Sequence, residues 1–459
     1  MNRRMLLIVF SLLLTGVGQA TEHRVATAAE LTKVISRLAP GDTVFMADGE
    51  WRDQTLRFRG RGTAEKPITL RAATPGSAVL VGQSTLDIDG EWLVVSGLLV
   101  RDGTGPKEGI ALRGQNNRLT ESAMIGGTYK HFVRVFGVRN RVDHNYLAGK
   151  TSGEPTLQIE SEASGPNHHR IDRNHFGPRE PLGRNGGETI RVGYSGQSMN
   201  VSRTLVEQNL FDNCDGEIEI ISSKSCENIY RHNTFFASGG MLTLRHGNRC
   251  LIDGNFFLGQ RKKSSGGVRV IGEDHVIINN YIEGVERGGI WLTSGIPDSP
   301  LNAYFQVKRA LIAFNTVVDS NGPALELDNG HGNRDRTLRP ENVTVAHNIF
   351  VPGKRGEVIK GTEGEGFRWE GNFAVGVDRE GFLAADPLLE RGADGLLRPA
   401  ANSPVRGAAA GTTIPLRTDI DGQPRVGVFD AGCDQLSSAP IINRPLTAAD
   451  VGPQWLQQR

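Results

Sequence analysis

Cysteine, aromatic residues and excess charge of either sign are scarce in this sequence. Its 459 residues carry a formal net charge of +1 and only 6% aromatic residues. Such a balance gives no sign of the basic surface that nucleic-acid-binding or membrane-surface proteins carry. The four cysteines are Cys214, Cys226, Cys250 and Cys433. Because their spacing resembles no zinc site, we expect buried thiols or one or two structural disulfides, whose pairing sequence alone does not choose.

A long apolar run is also missing. The longest candidate, Leu6 to Leu14, follows Arg3 and Arg4 and precedes the small-residue stretch Gly18-Gln19-Ala20. This run is too short to span a bilayer, and the order of charged start, apolar run and small residues is typical of a secretory signal. We therefore predict that residues 1–20 are a signal peptide and that the protein is exported, either to the periplasm or as a secreted protein.

Glycine, in contrast, is abundant at 58 residues, and asparagine recurs at similar points of a repeated unit. Each unit is a short apolar-alternating strand, an asparagine, an aromatic or aliphatic pair and a turn. The intervals run from 22 residues (Asn233 to Asn255) to 35 residues (Asn174 to Asn209). A period of this size with variable insertions marks a solenoid, and short strands make it a parallel β-helix. The asparagines are Asn145, Asn174, Asn209, Asn233, Asn255, Asn280, Asn315, Asn348 and Asn372. We expect them to form a hydrogen-bonded ladder between coils.

One amphipathic helix precedes the repeats. Thr27 and Glu30 have the form of a capping box, and apolar residues at helical spacing continue to Leu38. We predict that residues 21–45 cap the open end of the core, because solenoid ends must be covered. The whole of 21–459 is predicted to be one β-helix domain, with irregular last coils and a tail from about 385 to 459.

A second ladder is predicted from an apolar–X–apolar triplet in each coil. The flanking residues would face the core and the middle residue would face outward, so that the middle residues stack into a strip. These middle residues are Arg134, Gln158, Arg191, Glu219, Thr243, Arg269, Trp291 and Glu326. Opposite charges alternate in this strip, which suits an extended polymer.

The stretch from Asp215 to His246 carries the chemistry. Glu217 and Glu219 are two apart, so on a strand their carboxylates would share one face and repel, and Ca²⁺ resolves such repulsion. Lys224 follows closely, and Arg245 and His246 occupy the next unit. We interpret this as a site for an acidic substrate. In β-elimination of a uronic acid polymer, Ca²⁺ would neutralise the C5 carboxylate and Lys224 would take the C5 proton. Arg245 or His246 would stabilise or protonate the leaving O4.

Four runs resemble one known family: NGGETIRVG (185–193), CDGEIEIISSKS (214–225), LTLRHGN (242–248) and GGVRVIG (266–272). They are similar to polysaccharide lyase family 6, which contains alginate lyases and chondroitinase B. The resemblance implies a right-handed parallel β-helix with Lys224 as Brønsted base and Arg245 as Brønsted acid. It also implies Ca²⁺ on Asn185, Glu217 and Glu219, and substrate contacts from Arg191, His246 and Arg269. We place Glu188 of the first run with these substrate-binding residues. The chain resembles the family's single-domain members.

Three other functions compete with an alginate lyase. A chondroitinase B-like enzyme on dermatan sulfate would require more basic residues to meet the sulfates. A pectin-type glycosidase would require spaced carboxylates across the bond, and the sequence offers one acidic pair instead. A non-catalytic polysaccharide-binding β-helix would have no use for Lys224 beside the carboxylates. The sequence leaves open mannuronate or guluronate preference, endo or exo cleavage and oligomeric state.

Overall fold

The protein folds into three long parallel sheets that wind into a β-helix. The computed structural model describes residues 20–458, so the predicted signal peptide (1–20) lies outside the described residues except for Ala20. Successive strands along the chain go to successive sheets, and each strand pairs in parallel with its equivalent one coil later. The prediction of a parallel β-helix with a short N-terminal helix is confirmed.

The strands of the three sheets are short. The first sheet contains Glu22–Val25, Thr43–Met46, Ile68–Ala72, Leu93–Ser96, Arg118–Thr120, Arg141–Asp143, Arg170–Asp172, Leu205–Glu207, Ile229–Arg231, Leu251–Asp253, Val276–Ile278, Leu311–Ala313, Thr344–Ala346 and Arg368–Glu370. The second sheet contains Thr55–Arg61, Thr85–Glu91, Ile110–Gln115, Val133–Val135, Leu157–Ile159, Ile190–Gly193, Glu219–Lys224, Met241–His246, Val268–Val270, Ile290–Thr293, Leu325–Asn329 and Ile359–Lys360. The third sheet contains Gly49–Arg52, Ala78–Val81, Leu98–Gly103, Ala123–Gly127, Tyr146–Lys150, His175–Phe176, Leu210–Asp212, Thr234–Phe236, Phe256–Leu258, Tyr281–Glu283, Thr316–Val318, Ile349–Val351, Asn372–Phe373 and Phe382–Leu383.

Stacking of equivalent side chains holds the coils together. The predicted asparagine ladder is continuous from Asn145 to Asn372, because each backbone N–H donates to the side-chain oxygen of the next asparagine. Inside the core, Phe211 and Phe235 are stacked with ring centroids 4.6 Å apart. Such ladders satisfy buried polar groups while apolar side chains fill the space between the sheets.

Asn233 provides a test of the ladder. Its side chain is fully buried, donates to Val206 O and Asn255 Oδ1, and accepts from the backbone N–H of Asn209. Replacement by alanine would leave these buried groups unpaired, so Asn233→Ala is expected to lower the free energy of unfolding by about 2–4 kcal/mol. Chemical denaturation measures this, and the exposed Asn302→Ala is the control. Equal stability of the two variants would contradict the role assigned to the ladder.

The N-terminal helix spans Ala28–Ile35 and is shorter than the predicted extent to Leu38. Thr27 accepts a hydrogen bond from the backbone N–H of Glu30 at 3.2 Å, as the capping box predicts. Leu31 is buried and packs on the first coils of the core. The apolar face thereby covers one end of the solenoid.

The C-terminal segment returns along the outside of the coils. After an antiparallel pair (Leu389–Arg391 with Leu397–Pro399) it has little regular structure until the short helix Gln454–Gln457. The backbone N–H of Gly452 donates to Arg173 O at 2.9 Å, which places the end of the chain against an early coil. The four cysteines are buried and unpaired, so the expectation of thiols holds over disulfides. In residues 20–458, no helix is long and apolar enough to cross a membrane.

The structure corrects one predicted register. Ser222, and not Glu219, pairs with Arg191 on one side and with Thr243 on the other. Glu219 pairs with Met241 and Ile221 with Leu242, so Ile220 is an extra residue. This β-bulge shifts the strand. Glu219 therefore lies at the start of its strand, outside the predicted outward strip.

Candidate active site

Three carboxylates converge where two adjacent strands of the second sheet begin. Glu188 precedes the strand Ile190–Gly193, while Glu217 and Glu219 lie just before and at the start of the strand Glu219–Lys224. Their oxygens lie within 4.8 Å of one another. Burial and the two neighbouring carboxylates raise the pKa of Glu217 to about 8. We call Glu188, Glu217 and Glu219 the acid cluster.

The acid cluster fits a hard cation. Oxygen Oε2 of Glu188 is buried and accepts no hydrogen bond from the described residues. Glu217 accepts a hydrogen bond from the backbone N–H of Gly186 at 3.2 Å, but it forms no ion pair within residues 20–458. Three carboxylates with vacant lone pairs are the ligand type that Ca²⁺ prefers. The predicted ligand Asn185 lines the same cavity as Glu217, and the structure adds Glu188 to the predicted pair of glutamates.

The predicted cationic residues surround the acid cluster. Nζ of Lys224 and Nη1 of Arg191 lie 3.7 and 3.6 Å from Oε1 of Glu188. Across the cluster, Nε of Arg245 and Nη1 of Arg269 lie 3.7 and 4.0 Å from Oε1 of Glu219. The bulge brings this about, because it places Glu219 beside the side chains of the next two coils.

His246 is held as a neutral imidazole. Burial, together with the charges of Arg245 and Lys224, lowers the pKa of His246 to about 3. Its Nε2 lies 3.1 Å from Oγ of Ser195, and its Nδ1 lies 3.4 Å from Nη1 of Arg245. The ring can therefore orient Arg245 and contact a substrate without adding charge.

An aromatic residue that the sequence analysis missed lies over these arginines. The ring of Tyr304 lies against three guanidinium groups, 4.3 Å from Arg245, 5.7 Å from Arg269 and 4.7 Å from Arg336. Burial opposes the phenolate, but the three arginines outweigh it and lower the pKa of Tyr304. Tyr304 lies on the insertion between Thr293 and Leu311, which has no repeat pattern from which its position could be read.

Arg179 is a second residue that sequence reasoning missed. It is 3% exposed, and its guanidinium donates to the carbonyl oxygens of Glu188 (2.6 Å), Ser152 (3.0 Å), Glu154 (3.0 Å) and Gly186 (3.3 Å). These carbonyls belong to two loops that carry acidic side chains of the site. Arg179 therefore holds the two loops in one arrangement from behind the acid cluster.

We expect Arg179→Lys to reduce kcat/KM by about 10- to 100-fold, because an ammonium group cannot replace a planar fork that spans both loops. The thermal midpoint should fall less than in Arg179→Met, which leaves all four buried carbonyl oxygens without this donor. Steady-state kinetics and thermal melts of both variants measure this. The matched control is Arg203→Lys, since Arg203 is exposed and pairs with Glu227 on the surface. Wild-type kinetics in Arg179→Lys would refute the positioning role.

Comparisons with known proteins identify the family of this chain. The family model described as Chondroitinase B matches residues 25–373. A solved structure described as the PL6 family alginate lyase AlyGC has a TM-score of 0.79 and 38% identity, covering 83% of this chain and 56% of that one. A mannuronic acid-specific family 6 lyase from human gut microbiota has a TM-score of 0.71 and 31% identity, covering 80% of this chain and 91% of that one.

A third structure, the family 6 lyase Pedsa3628 from Pseudopedobacter saltans, has a TM-score of 0.74 and 25% identity, covering 94% of this chain and 99% of that one. The comparison with curated proteins finds no match. This chain spans little more than half the length of AlyGC. The family model covers most of the β-helix, and the AlyGC likeness exceeds 30% identity over most of the chain. The chain therefore belongs to polysaccharide lyase family 6.

Proposed function

We propose that this protein is an alginate lyase that cleaves the 1,4-linked uronate polymer by β-elimination. The observation that carries the proposal is the placement of Lys224 and Arg245 on either side of the acid cluster, each 3.7 Å from one of its carboxylates. A base on one side of a cation-binding centre and a hydrogen-bond donor on the other are suited to removing a proton from the carbon that carries a carboxylate. Two similar proteins are an alginate lyase and a mannuronic acid-specific lyase, which supports this substrate.

The acid cluster and Asn185 would hold Ca²⁺, which would supply a Lewis acid for the substrate carboxylate and make the C5 proton more acidic. Arg191 and Arg269 flank the acid cluster. Arg269 can bind a substrate carboxylate in bidentate fashion. Nε and Nη2 of Arg191 already donate to Gln158 and Glu154, which leaves Nη1 of Arg191 for the substrate. Both side chains are about nine-tenths buried, so they offer fixed donors at little entropic cost.

Lys224 takes the proton from C5. Its side chain is 15% exposed and reaches back from the end of its strand to the acid cluster. The electrons of the broken C5–H bond form the C4–C5 double bond, and the C4–O4 bond breaks. The proton therefore leaves on Nζ, and the electron pair leaves on O4.

Arg245 acts on the leaving O4. Burial lowers the pKa of Arg245, which is the direction that an acid requires. Its Nη1 donates to Ala303 O at 2.7 Å, and its guanidinium stacks on Tyr304, so the group is fixed in place. We assign to Arg245 both the stabilisation of charge on O4 and the delivery of the proton.

Elimination leaves a conjugated double bond that absorbs ultraviolet light, and this tests the proposal. Absorbance should rise with time on polymannuronate, polyguluronate or mixed alginate. Dermatan sulfate is the comparison substrate, because the matching family model is that of Chondroitinase B. A rise on dermatan sulfate alone would contradict the alginate assignment, and a flat trace on all four with folded protein would contradict a lyase.

A further inference from the structure

A cavity of about 580 Å³ continues the candidate active site at the corner between the third and second sheets. It lies beside the acid cluster and shares Glu217 and Asn185 with it. Segments of five successive coils build its walls, and its charged and polar lining includes Arg184, Asn185, Glu217, Lys262, Lys263 and Arg287. A volume of this size accommodates a sugar unit. We call this cavity the corner pocket.

The corner pocket carries cations that the protein leaves unneutralised. Asp215 pairs with Lys262 at 2.6 Å. Within residues 20–458, no carboxylate oxygen lies within 4.0 Å of the charged nitrogens of Arg184, Lys263 or Arg287. The guanidinium group of Arg287 is half-buried and, among residues 20–458, donates to the carbonyl oxygen of Ser264 alone, at 3.0 Å. Arg184 and Lys263 are exposed and Arg287 is half-buried, so all three can form charge-assisted hydrogen bonds with an anion that enters the pocket.

In the outward strip predicted from sequence, in contrast, arginine side chains have partners within the protein. Arg134 binds Glu160 at 2.6 Å, and Arg191 binds Glu154 at 2.7 Å and Gln158 at 2.6 Å. Much of the charge along the solenoid axis is thus satisfied within the protein. The free positive charge lies instead where the strands begin, at the corner.

We propose that the corner pocket binds the carboxylate of a uronate unit next to the one at the acid cluster, so that the polymer lies along the strands and across the solenoid axis. This inference rests on the proposed function. The acid cluster lies at the beginning of its strands, whereas Lys224 and His246 are the last residues of the strands Glu219–Lys224 and Met241–His246. The corner pocket extends this line beyond the acid cluster. Lys263 and Arg287 supply the charge-assisted hydrogen bonds to the second carboxylate.

Substrates of different length distinguish the contribution of the corner pocket from that of the reacting centre. Lys263→Ala/Arg287→Ala is expected to raise KM on long polyuronate about tenfold and to leave kcat within about twofold, because the lost contact is made equally in the ground and transition states. The rise in KM should vanish on the shortest oligouronate that the wild type cleaves. Lys263→Glu, an exposed single change, should give the same pattern without any risk to folding.

Lys33→Ala is the control, because Lys33 is exposed on the N-terminal helix, many coils away from the pocket. Unchanged KM in the pocket variants, or an equal rise on short and long substrates, overturns the corner-pocket proposal while the wild type remains active. A wild type that forms no unsaturated product from any polyuronate overturns the proposed function itself, and the subsite falls with it. The two failures are therefore distinguishable.

Discussion

Lys224→Ala is expected to lose about 1,000-fold or more in kcat on alginate while the protein keeps its fold. Lys224 is the basic side chain proposed to take the C5 proton, and removal of a positioned general base costs about 100- to 10,000-fold. Within residues 20–458, the ammonium group of Lys224 forms one ion pair, with Glu188, and no hydrogen bond, so alanine removes no buried hydrogen bond. The KM should change little, because the lost interaction acts in the transition state. Initial rates and a thermal melt measure the two effects separately.

The control for Lys224 is Lys66→Ala, which removes an exposed lysine from an early coil. Lys66→Ala should retain wild-type rates. Full activity in a folded Lys224→Ala protein would contradict the proposed base and would leave the acid cluster without a partner for proton removal.

Glu217→Gln is expected to abolish the calcium response of both stability and activity. In the cation-free protein, the raised pKa of Glu217, about 8, exceeds the ordinary value of 4.5. Between these values the folded protein binds a proton that the unfolded chain releases. This contribution to stability is present below pH 4.5 and is lost as the pH rises through about 8. Because Ca²⁺ competes with that proton, Ca²⁺ should raise the thermal midpoint more at pH 8 than at pH 5.

Calorimetric melts at the two pH values, with calcium and with chelator, test the role of Glu217. In Glu217→Gln the calcium-dependent shift should disappear and kcat/KM should fall about 100-fold or more. The exposed Glu65→Gln is the control and should behave as the wild type. A calcium shift that is larger at pH 5 than at pH 8 would contradict the assignment of the acid cluster as the cation site.

The repeat was predictable because each coil imposes the same physical requirement. A buried asparagine such as Asn233 must pair with its neighbours, and this produces a pattern visible in one dimension. The proximity of Glu217, Glu219 and Lys224 followed from strand alternation and short spacing. The register of Glu219 could not be predicted, because a single bulged residue shifts the pairing of a strand and the sequence repeat does not reveal it.

The residues that sequence reasoning missed act from irregular segments. Tyr304 and Arg336 reach the site from insertions whose path depends on tertiary packing, and no periodicity fixes that path. Arg179 looks like any charged residue after a strand, and its role exists only through carbonyl groups of two folded loops. Glu188 was expected to contact substrate, but its side chain joins the acid cluster.

The most direct test of the central claim, cleavage by β-elimination, is the mass balance of products from a defined oligouronate in water enriched in heavy oxygen. Elimination adds no water, so the two product masses, read before the reducing end exchanges its oxygen with the solvent, should sum to that of the substrate, and the unsaturated end should carry no heavy isotope. Products that together gain one water and carry heavy oxygen at the cleaved bond would show hydrolysis and contradict the mechanism proposed for Lys224 and Arg245.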